Sequence, residues 1–87
     1  MQVLIVDDDI ATVDVVQNSV NWEKLGVTRT FAAYNISRAK KILTEENIDI
    51  IISDIEMPRG SGIDLLEWMR DKRIPGEIFA SHMSREF

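Results

Sequence analysis

Cysteine is absent from the 87 residues, which excludes disulfides and thiolate metal sites and leaves the apolar core as the source of stability. That suits a reducing, cytoplasmic setting. No apolar run approaches the roughly 20 residues a membrane-spanning helix needs, so no membrane span is expected. Prolines number two, and the 45% hydrophobic and 29% charged content is that of a globular chain, not a disordered one. Positive charge is scarce: 10 Lys and Arg stand against 15 Asp and Glu, for a net charge of −5. A nucleic-acid-binding face needs clustered Lys and Arg, so this segment is not expected to form one. The start, MQVLIV, lacks a basic region followed by a long apolar segment, so no signal peptide is read and Met1 is taken as a native start. His82 is the sole histidine and has no Cys or second His beside it, which favours a loop role over metal ligation or acid–base work. The length allows one small domain.

What the sequence does contain is organised around residues 48–58, IDIIISDIEMP. Ile50, Ile51 and Ile52 are β-branched and uninterrupted, the pattern of a strand buried on both faces, as in the centre of a parallel sheet. Asp54 stands where the run ends. A carboxylate there lies in the crevice where open α/β sheets bind ligands, although an aspartate after a strand also serves simply to cap a turn. Pro58 cannot join a ladder, so the chain leaves the sheet through a loop.

A second buried run, residues 3–6 (VLIV), ends in Asp7, Asp8 and Asp9. Ile10, Val13, Val16 and Val20 follow at helical spacing. Trp22 and Leu25 are expected to continue the packing beyond that helix, and residues 27–33 read as a second strand containing Phe31. Asn35 and Ser37 can each cap the next helix, whose apolar stripe is Ile36, Ala39, Ile42 and Leu43, with Lys40, Lys41, Glu45 and Glu46 on its solvated face. Ser61 and Asp64 approximate a capping box ahead of a third helix with Ile63, Leu66 and Met69 on its apolar side. After Pro75 and Gly76, residues 77–81 (EIFAS) read as a fourth strand. The alternation of strands and helices predicts right-handed crossovers and a parallel sheet covered on both faces. Trp22 and Trp68 lie beside helical apolar patterns and read as packing residues; Arg59 reads as a solvated loop arginine.

If these strands are neighbours, Asp7, Asp8, Asp54 and Ser81 converge on one edge. Crowded carboxylates repel, and a hard divalent cation with oxygen ligands relieves the repulsion, Mg2+ first among them. Such a site suits phosphoryl chemistry, with Asp54 as nucleophile forming an aspartyl phosphate and the Ser81 hydroxyl meeting a phosphoryl oxygen.

VLIVDDD, NWEKLGV and IDIIISDIEMPRGSGIDLLEWMR together resemble the receiver domain of bacterial two-component response regulators over nearly the whole chain. The W-E-K-L-G and D-I-E-M-P details are most similar to receivers of regulators carrying an AraC-type helix-turn-helix module. The resemblance implies a flavodoxin-like (CheY-like) doubly wound α/β fold. It implies Asp54 as phosphoacceptor, charged by a sensor histidine kinase, with Asp8 a direct Mg2+ ligand, Asp7 its acidic partner and Glu56 lending a backbone carbonyl. Ser81 matches the phosphoryl-contacting hydroxyl, and Asp9 is better read as a helix cap. A receiver resembling this one would continue into a fourth helix, a fifth strand bearing a lysine and a fifth helix. Residues 1–87 contain none of these, and Lys24, Lys40, Lys41 and Lys72 lie on helices or their flanks. The expectation is thus an incomplete receiver, not a turnover enzyme, that self-associates through an exposed fourth strand. Two other readings stand beside it. One is a receiver-like interaction module that never takes phosphate. The other is a haloacid dehalogenase-type phosphatase fragment with Asp7 as nucleophile and Asp9 as acid, weakened by Ala11 and by the lack of room for that family's lysine.

Overall fold

The computed structural model describes residues 1–54 and 62–81. In chain order these form β1 (Gln2–Val6), α1 (Ile10–Ser19), a 3₁₀ turn (Glu23–Leu25), β2 (Arg29–Ala33), α2 (Ile36–Glu45), β3 (Ile50–Asp54), α3 (Gly62–Lys72) and β4 (Glu77–Ser81). All pairings are parallel and the strand order is β2-β1-β3-β4. β1 and β3, whose sequences are unbroken apolar runs, occupy the centre, as strands with two covered faces must. Among the described residues, no helix is long and apolar enough to cross a membrane.

Strand alternation splits the core into two layers. Leu4, Val6, Ala33 and Ile51 pack with Ala39, Ile42 and Leu43 of α2 and Leu65 and Met69 of α3. On the opposite face Val3 and Ile5 pack with Val13 of α1 and with Val27, and Ile50 and Ile52 lean against them. The sheet is therefore wound on both faces.

The helices correct the sequence pattern in instructive places. α1 buries Val13, but Ile10 is 58% exposed and Val20 is 37% exposed. Ile10 is the first helical residue and Val20 the extended C-cap, so neither rides over the sheet. Leu25, expected to pack, is 60% exposed in the 3₁₀ turn, whereas Trp22 is half-buried and its indole N–H donates to the Gln17 carbonyl at 3.0 Å. α2 matches its expected stripe and is capped by Asn35, whose side chain accepts from the Arg38 N–H at 2.8 Å; Ser37 lies inside the helix. Among the described side chains of α3, Leu65 and Met69 are buried and Leu66 only partly so; the expected role of Ile63 lies outside them. Lys40 is not purely solvated: its ammonium sits 5.5 Å from the centroid of the Trp68 ring and fastens α2 to α3. The Ser61 capping role lies outside the described residues.

α3 stops at Arg73, whose φ of 55° is left-handed. Its N–H donates to the Arg70 carbonyl at 3.2 Å, and the Ile74 N–H to the Met69 carbonyl at 2.9 Å. Gly76 then passes so close to the segment leading into β3 that a Cβ there would lie 3.1 Å from the Ile48 carbonyl oxygen. The chain enters β4 by this contact.

Candidate functional site at the carboxyl edge of the sheet

Register decides which residues meet. Val6 pairs with Ser53, and Asp54 pairs with Ser81. Asp7 follows Val6 as Asp54 follows Ser53, so Asp7, Asp54 and Ser81 stand level on three adjacent strands, separated by about 4.8 Å per strand. The register thus brings the backbones of Asp7, Asp54 and Ser81 to one edge, with Asp8 one residue beyond Asp7.

Asp7 is held firmly. Its N–H donates to the Ala33 carbonyl at 3.1 Å, extending the β1–β2 ladder one residue past the strand. Its Oδ1 accepts the Asp9 N–H at 2.9 Å, and the residue is only 6% exposed. Asp8, next along the chain, is exposed. A nearly buried carboxylate followed by an exposed one concentrates negative charge where the central strands end.

Asp9 faces a different task. It is the N-cap of α1: its Oδ1 accepts the Ala11 N–H at 3.1 Å and its Oδ2 accepts the Thr12 hydroxyl at 2.9 Å. Both oxygens are engaged in starting the helix, as the capping reading expected, which argues against Asp9 as the acid of a phosphatase. Ser53, wholly buried beneath the edge, went unremarked in the sequence because a serine inside an apolar run carries no pattern. The Lys40–Trp68 contact was equally invisible, since its partners lie on different helices.

Glu56, Arg59 and His82 lie outside the described residues. Among the described residues no group of three Asp, Glu, His or Cys side chains is arranged to hold a metal. The donors at this edge are carboxylates, with no imidazole or thiolate among Asp7, Asp8 and Asp54, and an all-oxygen set fits Mg2+ and not a softer ion.

The model of the response regulator receiver domain family matches residues 3–85. An uncharacterized response regulatory protein of Staphylococcus epidermidis is 30% identical over 86 residues, covering 99% of this chain and 34% of its own length. The response regulator SaeR of the same species is 39% identical over 71 residues, 82% of this chain and 29% of SaeR. This chain thus spans about a third of these relatives. Among solved structures, the MaeR response regulator bound to beryllium trifluoride superposes with a TM-score of 0.82 at 28% identity, covering 99% of this chain and 70% of MaeR. A two-component transcriptional regulator AraC from Clostridium phytofermentans shares the fold at a TM-score of 0.80 and 24% identity.

Proposed function

The chain belongs to the response regulator receiver domain family of two-component phosphorelay signalling, and we propose that within it Asp54 is the phosphoacceptor. The observation that carries this reading is the register that sets Asp54 level with Asp7 and Ser81 at one edge.

A carboxylate oxygen of Asp54 attacks the phosphorus of a phosphohistidine on a sensor histidine kinase. The new O–P bond forms as the P–N bond breaks, and the departing imidazole takes up a proton. Asp8, Asp7, Asp54 and the Glu56 carbonyl would hold Mg2+, which when bound neutralises charge on the phosphoryl oxygens. The Ser81 hydroxyl donates to one of those oxygens. Asp7, pinned through its N–H and Oδ1, keeps the acidic edge in place while the phosphoryl group is carried. MaeR, with its bound beryllium trifluoride, supports the reading, because that group has the shape and charge of a phosphoryl group.

The domain is cytoplasmic, switches a transcription-regulating output module in the intact regulator and turns over no substrate beyond its own phosphorylation and slow hydrolysis. A 32P-labelled phosphohistidine carrier domain tests the assignment. Label should pass to this chain, be released by hydroxylamine as an acyl phosphate is, and be absent from Asp54→Asn; transfer to that variant would refute it.

A further inference from the structure

The edge of the sheet opposite the acidic site carries a groove of about 450 Å³ that the phosphoryl chemistry does not use. Half-buried Ile50 and Ile74 and exposed Pro75 line it above the buried Leu43 and Ile48, and its rim carries Glu46, Asp49 and Glu77. These carboxylates come from three different places: the C-cap of α2, the residue before β3 and the first residue of β4. The Asp49 Oδ2 already accepts the Gln2 N–H at 2.8 Å, tying β1 to β3, but Glu46 and Glu77 have no side-chain partner among the described residues. Among the described residues lining the groove none is Lys, Arg or His, and the one candidate cation is the amino terminus at Met1. α2 also points its carboxyl end here with no basic residue in its last turn, so the negative pole of its dipole is uncompensated.

An apolar floor under an unneutralised negative rim selects an occupant that is apolar on one side and positive at its margins. We propose that this groove docks a basic amphipathic polypeptide segment of a partner protein, its aliphatic side chains on Ile74 and Pro75 and its Lys or Arg side chains meeting Glu46 and Glu77. Anionic ligands are repelled, and a purely apolar segment leaves the rim charges without partners. The inference stands apart from phosphorylation of Asp54 and holds whether or not that assignment does.

The probe is a capped Leu/Lys amphipathic peptide of about four helical turns, titrated into the 15N-labelled chain. Amide shifts should move at Ile48, Asp49, Ile74, Gly76 and Glu77. The double variant Glu46→Lys/Glu77→Lys should weaken binding about tenfold or more, whereas Asp14→Lys/Asp71→Lys, two exposed sites with the same change in net charge, should leave it within about twofold. A peptide with Ser for Leu should lose most of its affinity. Shifts centred on Asp7 and Asp8, equal weakening by both double variants, equal binding of the Ser peptide, or no binding at millimolar peptide would each overturn the proposal.

Discussion

Asp54 and Ser81 are register partners at the carboxyl ends of β3 and β4. The pairing places a carboxylate-bearing and a hydroxyl-bearing residue on neighbouring strands at the edge where parallel α/β sheets bind ligands. If the hydroxyl meets the phosphoryl group, Ser81→Ala should slow phosphorylation of Asp54 by about tenfold, the loss of one hydrogen bond to charge, while Ser81→Thr retains most of the rate. Time courses of intact mass with acetyl phosphate measure this. Equal rates for Ala and Ser would remove Ser81 from the site.

Crowding of Asp7 with Asp8 should be visible in stability. Asp8→Asn removes one negative charge at an exposed position without disturbing the core. Its metal-free form should be more stable than the parent by about 1 kcal/mol, and Mg2+ should stabilise it less than it stabilises the parent. Thermal denaturation with and without Mg2+ reads both effects. A parent protein indifferent to Mg2+ would contradict the metal assignment.

The capping role of Asp9 is separable from the site. Asp9→Ala leaves the Ala11 N–H and the Thr12 hydroxyl without that acceptor and should cost about 1 kcal/mol, a fall of about 4–8 °C in Tm, whereas Asp9→Ser should recover most of it. Phosphorylation of the folded Ala variant should persist.

The turn into β4 makes opposed predictions. Arg73 adopts φ 55°, so Arg73→Gly should be neutral or stabilise by up to about 1 kcal/mol. Gly76, at φ 141° and with the Ile48 carbonyl 3.1 Å from where a Cβ would be, should lose stability on substitution by Ala, by more than about 1 kcal/mol. Urea titrations should show the Arg73→Gly midpoint unchanged or raised and the Gly76→Ala midpoint lowered.

β4 pairs with β3 on one side and with no other strand among the described residues. If a second copy pairs along this edge, the sedimentation coefficient should rise with concentration. A compact monomer at high concentration would count against it.

Much of this architecture was legible because parallel strands advertise themselves. The runs VLIV, closed by Asp7, and III, closed by Ser53 and Asp54, announced both the central strands and the edge at which they end. The stripe of α2 was equally plain, since Ile36, Ala39, Ile42 and Leu43 recur at the helical period and Asn35 caps them. Less legible was α1, where valines and isoleucine outnumber the positions the sheet can cover, so Ile10 reads as core yet stands in solvent. α3 misled by one residue because Leu65 and Leu66 are adjacent and periodicity alone cannot choose between them. Arg73 gave no signal at all, for a left-handed arginine looks like any other helix-terminal cation. The site was readable as residue types and strand ends; its assembly required the order β2-β1-β3-β4 and the register, which no local pattern encodes.

The most direct test of the account is the intact mass of the chain after incubation with acetyl phosphate, with and without Mg2+, for the parent and for Asp54→Asn. A single phosphoryl adduct that needs Mg2+ and is missing from Asp54→Asn is the predicted result. An adduct that survives in Asp54→Asn, or no adduct on protein shown to be folded and to bind Mg2+, would contradict the assignment of Asp54 as the acceptor in this chain.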